Sequence, residues 1–290
     1  MEEFDEILDK IFSKRDVKVN NPHLEYVIYK LLKEFDLTYM SKTRFFKLLY
    51  LIYQNLKNRG IDIKLPYFWY EHGPVVDTYA LPGNVDFHYD GFKFVPSPIP
   101  KPQIEIESDV KRKIEEAVLL IKSKYEKMDT ESLIDEIYSK YAPLKVQNFF
   151  RELLKLGFRG EDKNKIDALL MNIVKEFPKR DYSELYSVLL RIVPLVRYGV
   201  KNEVNLDEIE DLVKNFWKTF CQKLSLNYNE NLPSGLVRMH EMYEENMKSL
   251  KQRLKDVEKH VLSSFDGEYE IFNPIFEKHL EEFLKSQGYI

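Results

Sequence analysis

Six histidines, one cysteine and a large stock of carboxylates are the chemically capable residues of this chain, and their spacing decides what they can do. His240 with Glu244, and Asp256 with His260, stand one helical turn apart, which on a helix offers two ligands to a metal ion. No third ligand is in view, and such pairs are common on solvated helix faces, so no metal site is expected. Glu71-His72, next to Gly73-Pro74, has the composition of an acid–base pair at a turn. The simpler reading makes it a turn fixed by Trp69 and Pro74, with polar residues at its rim. His23, His72, His88, His240, His260 and His279 belong to no HExxH or serine-nucleophile pattern. Glycine is scarce, at 10 residues, and neither GxGxxG nor GxxxxGK[ST] occurs, so nucleotide cofactors are not expected. Lys111-Arg112-Lys113 and Arg191/Arg197/Lys201 are the main basic clusters, but neither is interleaved with aromatics and both have acidic neighbours along the chain. The expectation is therefore no catalytic residue and no cofactor.

Composition bounds the remaining classes. A chain of 290 residues with 44% hydrophobic and 32% charged residues is long enough for two domains, and its 14% aromatic content argues against disorder. The formal net charge of -4 gives no general attraction to phosphate, so nucleic-acid binding is not favoured. The single Cys221 excludes an internal disulfide and any zinc site built on several thiolates; on an apolar helix it reads as a small buried hydrophobe. An acidic start, MEEFDEILDK, and the lack of an apolar run of membrane-spanning length lead to an expected cytoplasmic protein with no membrane partner.

The elements that position these residues follow from periodicity. Phe4, Ile7, Leu8 and Ile11 predict a short helix in an N-terminal extension, residues 1–23. Asn21-Pro22 opens a helix carrying Val27, Ile28, Leu31 and Leu32. Ser41 then caps a second, with Phe45, Leu48, Leu49, Ile52 and Leu56 on one stripe and Gly60 as its stop. Leu65–Tyr70 reads as an aromatic strand ending at His72-Gly73-Pro74, after which Pro74 suits the first turn of a short helix through Val75, Val76 and Tyr79. Two of the aromatics at 67–70 are expected to face solvent, because neighbours on a strand point to opposite faces. Asp90-Gly91 predicts a hairpin of Val85–Tyr89 with Phe92–Val95, which the aromatic strand joins at an edge because Pro66 cannot donate. Beyond the prolines at 96–102, Ser108 and Asp129 or Thr130 cap two further helices. The rest is helix after helix, interrupted at Asn227–Ser234. The longest candidate carries Leu236, Tyr243, Met247, Leu250, Leu254, Val257 and Val261 in a narrow heptad seam, which must meet another helix in this chain or in a second copy. A stop at Asp266-Gly267 and a last helix at Ile275–Phe283 complete the reading.

One stretch carries more than periodicity. Lys47-Leu48-Leu49-Tyr50 on the second helix, followed by Trp69, Tyr70, His72, Gly73, Pro74, Val75, Val76 and Tyr79, resembles the paired signature of the Panacea domain, the SocA-like antitoxin-associated family. The similarity runs over roughly residues 24–144, including Met128-Asp129-Thr130-Glu131-Ser132-Leu133. The proline-rich segment Pro96–Gln103 and the closing Tyr141-Ala142-Pro143-Leu144 depart from the pattern. The resemblance implies a protein that binds and neutralises a toxin protein, with these motif residues holding the scaffold and partner choice lying on other surfaces.

The expected architecture is mainly α with a small antiparallel β element. It comprises the extension 1–23, an α+β domain at 24–144 and an all-α domain at 145–290. A toxin protein is the expected partner, with self-association through the Tyr243–Val261 helix as a further expectation. The competing reading is a nucleic-acid-associated regulator or defence component.

Overall fold

The computed structural model describes residues 21–37, 40–82, 85, 87–89, 94–103, 105–159, 162–230 and 235–263. The expected helix at 4–11, the turn at Asp90-Gly91, the stop at 266–267 and the helix at 275–283 lie outside these residues. The chain is mainly α with small antiparallel sheets, and it divides into two compact units. Their boundary is not single. Residues 1–141 and 224–240 form the first unit, and 142–223 with 241–290 form the second.

In the first unit the helices are α1 (Pro22–Glu34), α2 (Lys42–Asn58), α3 (Ser108–Tyr125) and α4 (Thr130–Tyr141). Its strands are β1 (Tyr67–Tyr70), β2 (Gly73–Val76), β3 (Phe87–Tyr89), β4 (Phe94–Pro96) and β5 (Asn229–Glu230). The starts of α1 and α2 are written in the sequence: Asn21 and Ser41 accept from the amides of Leu24 and Arg44, each at 3.1 Å. Helix α2 is buried on every side from Arg44 to Tyr53, as a helix with neighbours all round must be. Accordingly it packs against α1, α3, α4, β2 and β4, with Phe45, Leu48, Leu49, Ile52 and Leu56 fully buried. Arg44 is buried with them and closes the end of α3, its guanidinium donating to the carbonyls of Met128 (2.5 Å), Tyr125 (2.7 Å) and Glu126 (2.9 Å). Tyr125 O is the last carbonyl of α3, and those of Glu126 and Met128 belong to the turn after it, where intrahelical donors run out.

Four expectations change here. Gly73–Val76 is a strand and not the start of a helix; only Thr78–Ala80 forms a single 3-10 turn, closed by Asp77. Pro74 is tolerated because β2 is an edge strand, where a missing amide hydrogen leaves no ladder bond unmade. Conversely, β1 is central, in the order β2-β1-β5, and does not join the β3–β4 hairpin; Pro66 lies just before it and contributes a carbonyl that accepts from Asp77 N at 3.0 Å. All four residues of β1 are buried, since both of its faces are covered. Ser108 is the first residue of α3 and supplies no side-chain cap, whereas Asp129 caps α4 through Ser132 N at 2.9 Å.

The second unit is helical: α5 (Val146–Leu156), α6 (Lys163–Glu176), α7 (Ser183–Asn202), most of α8 (Leu206–Asn227) and most of α9 (Gly235–Ser263). Its centre is aromatic, with Phe150 stacked on Phe216 at 5.5 Å and Phe177 tilted against Phe220 at 5.3 Å. Cys221 is buried there. The heptad seam meets helices of its own chain. Tyr243, Met247, Leu250, Leu254, Val257 and Val261 are buried, and polar ties from α9 reach α7 and α8: Arg191 to Glu258, Lys251 to Glu184, and Asn246 to Gln222 at 3.0 Å. The reason for expecting a second copy along this seam is thereby gone. Among the described residues no helix is long and apolar enough to cross a membrane.

Arg44→Met removes three charge-assisted bonds to helix-end carbonyls and should cost about 1–3 kcal/mol, read as a lower urea midpoint with an unchanged slope. A pH dependence comes from Glu136, which receives Lys124 Nζ at 2.6 Å, Tyr125 Oη at 2.8 Å and the Lys140 ammonium. Burial raises its pKa, but these donors win and bring it down to about 2. The unfolded carboxylate titrates near ~4.3, so its stabilising contribution is complete above that pH and is lost as pH falls towards 2. The stability gap between wild type and Glu136→Gln should accordingly be widest near neutrality and close in acid, as followed by thermal melts across pH.

Candidate interaction site at the motif corner

Strands β1 and β2 are joined by only Glu71 and His72, with Trp69 opposite Pro74 and Tyr70 opposite Gly73. So short a connection forces a left-handed backbone, and Gly73 supplies it at φ +87°. An added Cβ there would lie 3.5 Å from the Tyr138 ring, 3.7 Å from Trp69 and 3.7 Å from the Lys47 stem, so Gly73 sits in a cage of side chains. Two donors pin the corner from outside the strands. The fully buried Lys47 ammonium donates to Pro74 O at 2.8 Å, and Tyr138 Oη donates to Glu71 O at 2.8 Å and, more weakly, to Tyr70 O at 3.2 Å. The two halves of the motif, separated by a loop in the sequence, are thus one object in space.

Beside the corner stands a tyrosine cluster. The Tyr50 ring meets the edges of Tyr67 (5.0 Å), Trp69 (6.1 Å) and Tyr141 (5.8 Å), arrangements that the ring quadrupoles favour. On the far edge of β1, Tyr67 and Phe68 pair with Glu230 and Asn229, Trp69 N donates to Tyr228 O at 3.2 Å, and Ser225 Oγ donates to Trp69 O at 2.5 Å. The Glu230 carboxylate receives Tyr53 Oη, Lys57 Nζ at 2.9 Å and, at the long limit, Tyr67 Oη at 3.4 Å. Burial pushes the phenols of Tyr50, Tyr53 and Tyr67 well up, and Glu230 adds to this for Tyr53 and Tyr67. For Glu230 itself burial raises the pKa, yet the bonds from Tyr53 and Lys57 outweigh it and the group is a stronger acid than usual.

The structure brings nearly all the expected motif residues together. Lys47, Leu48, Leu49, Tyr50, Trp69, Tyr70, Gly73, Pro74, Val75 and Val76 are buried, while His72 is exposed at the rim with Glu71 half-buried beside it. Tyr79 lies in the 3-10 turn. Tyr138, Ser225 and Glu230 complete the site without having been legible, because each reaches it from 67 to 177 residues away, and local periodicity is silent at such separations. The Asn227–Ser234 stretch read as a break contains β5, too short at two residues to leave a pattern.

The basic clusters are partly matched by carboxylates. Arg112 bonds Asp109 and Glu116, Lys113 bonds Asp109, Arg191 bonds Glu258, and Arg197 bonds Asp167. In the second unit an open cavity of about 730 Å³ is lined by Phe158, Arg159, Lys163, Val200, Glu203 and neighbours, but its cations are likewise held, Lys163 by Glu203 at 2.8 Å and Arg159 by Asp207. His260 Nδ1 lies 3.0 Å from Glu208, and among the described residues no three His, Cys, Asp or Glu side chains converge as a metal site. Comparison with protein-family models, with curated proteins and with solved structures found no match.

Lys47→Met leaves the Pro74 carbonyl without its buried donor and should cost about 1–3 kcal/mol of stability. Gly73→Ala, which forces a side chain into a left-handed backbone, should cost about 1–2 kcal/mol. Because both act on the same corner, the double variant in denaturant titrations should fall short of the summed losses.

Proposed function

We propose that this chain is an antitoxin-like protein-interaction module that binds and neutralises a partner toxin protein in the cytoplasm. The observation that carries the reading is the bond from Lys47 Nζ to Pro74 O, which joins the two resembling motifs, with Gly73 caged by Tyr138 and Trp69. Residues arranged in this way act as a clamp between a helix and a strand corner. They are buried rather than presented to a small substrate, which agrees with a scaffold role for the motif. The exposed surface around it is left to select a partner, with His72 exposed and Glu71 half-buried at its rim. The nucleic-acid-associated reading has less behind it, since four of the six residues in the two basic clusters are already paired with carboxylates.

The test is co-expression with the product of the adjacent reading frame. The neighbour alone should arrest growth, the pair should grow, and the two proteins should elute together in size-exclusion chromatography. A neighbour that is harmless, or whose toxicity persists with both proteins soluble, would overturn the reading. A mobility shift with duplex DNA at low salt, in place of protein binding, would move the assignment to the nucleic-acid class.

A further inference from the structure

The central strand β1 has two unequal neighbours. Along one edge β2 pairs with all four of its residues, while along the other β5 pairs with only Tyr67 and Phe68. Trp69 finishes the second edge by makeshift means: its amide goes to Tyr228 O, and its carbonyl takes a hydroxyl, Ser225 Oγ, where a neighbouring strand would offer a backbone amide. A two-residue strand is held by very little ladder, and an edge so thinly covered is the kind that an incoming strand can occupy.

Two side chains fasten β5: Asn229 Nδ2 donates to Ser225 O and Leu226 O, each at 3.1 Å, and Glu230 holds the other end. The Glu230 carboxylate draws the Tyr53 hydroxyl, the Lys57 ammonium at 2.9 Å and 3.3 Å, and the Tyr67 hydroxyl. Tyr53 and Tyr67 are buried and rigidly packed, so their hydroxyls are aimed whether or not a carboxylate is present. Lys57 and Glu230 are 46% and 38% exposed, so the ammonium and the carboxylate it holds are reachable from solvent. An ammonium together with convergent hydroxyls prefers a carboxylate to the isosteric amide, because the bond gains charge assistance only with the former.

We propose that Tyr53, Lys57 and Tyr67 form a carboxylate-recognition site occupied in cis by Glu230, and that an extended acidic segment of a protein partner replaces Asn229–Glu230 on the edge of β1. The incoming strand pairs along the whole of Tyr67–Tyr70, supplies a backbone amide to Trp69 O, and places a Glu or Asp among the three donors. This rests on the protein-interaction reading and adds to it the surface used and the chemistry of the segment it accepts. The internal strand acts as a competitor, lowering affinity for any weaker match by the fraction of time it holds the edge.

The test uses the full chain and a fluorescently labelled hexapeptide copying residues 225–230, Ser-Leu-Asn-Tyr-Asn-Glu, followed by anisotropy. Glu230→Ala empties the donor set and should bind this peptide about tenfold tighter than wild type, while a peptide ending in Gln should lose about the same factor. Adding Lys57→Met to Glu230→Ala should abolish the preference for Glu over Gln. Circular dichroism establishes that each variant is folded; should Glu230→Ala not fold, Glu230→Gln is measured in the same way. A folded variant that binds the two peptides equally, or neither, overturns the proposal. The toxin partner separates this inference from the reading beneath it. Partner binding that is indifferent to Lys57→Met sinks the edge proposal and leaves the antitoxin reading standing. Peptide discrimination with no toxin partner supports the acid-binding edge and sinks that reading.

Discussion

A lysine ammonium with no exposure to solvent must find its acceptors inside the protein, and that requirement organises the first unit. Lys47 sits within the wholly buried stretch of α2 and meets Pro74 O across 2.8 Å. Burying a cation carries a large desolvation cost, which is offset only if its partners are held in place. Everything around the corner serves that end. The two-residue connection and left-handed Gly73 turn the chain so that the Pro74 carbonyl faces α2, and Tyr138 fixes the preceding carbonyls from the opposite element. The same logic recurs with Arg44, whose guanidinium is spent on the last carbonyls of α3 and of the turn after it.

The tyrosines show how a polar residue is used as core. Tyr50, Tyr53 and Tyr67 bury their rings against one another and against Trp69, while the hydroxyls of Tyr53 and Tyr67 remain near the rim, where Glu230 and Lys57 meet them. A phenol in this position favours its neutral form strongly, so it donates to the carboxylate over the whole physiological range. Its charge-assisted bonds in turn keep Glu230 ionised. A strand of two residues is retained by side chains more than by its own ladder.

In the second unit the governing term is burial. The seam of α9 is narrow, and once Leu250, Leu254, Val257 and Val261 are covered, the flanking positions are left for ion pairs to α7 and α8. Each large side chain buried this way contributes about 1.5–3 kcal/mol, against about 0–1 kcal/mol for an exposed ion pair, so the ion pairs set register more than stability.

From the sequence alone, the helices that open at Asn21 and Ser41 were recoverable to within a few residues of their ends, because an apolar stripe, a capping Asn or Ser and the stopping Gly60 are local signals. The mainly helical class and the β3–β4 hairpin were equally legible. What only the tertiary structure decided was pairing. Pro74 is compatible with a helix start or an edge strand, and the choice fell to the strand because Tyr67–Val76 could close a ladder while Lys47 waited for the carbonyl. That all four aromatics of β1 are buried, that Glu230 completes their edge, and that the α9 seam is covered from within the chain depend on contacts across many tens of residues. Such contacts are set by which surfaces fit when the chain collapses, and no local period records them.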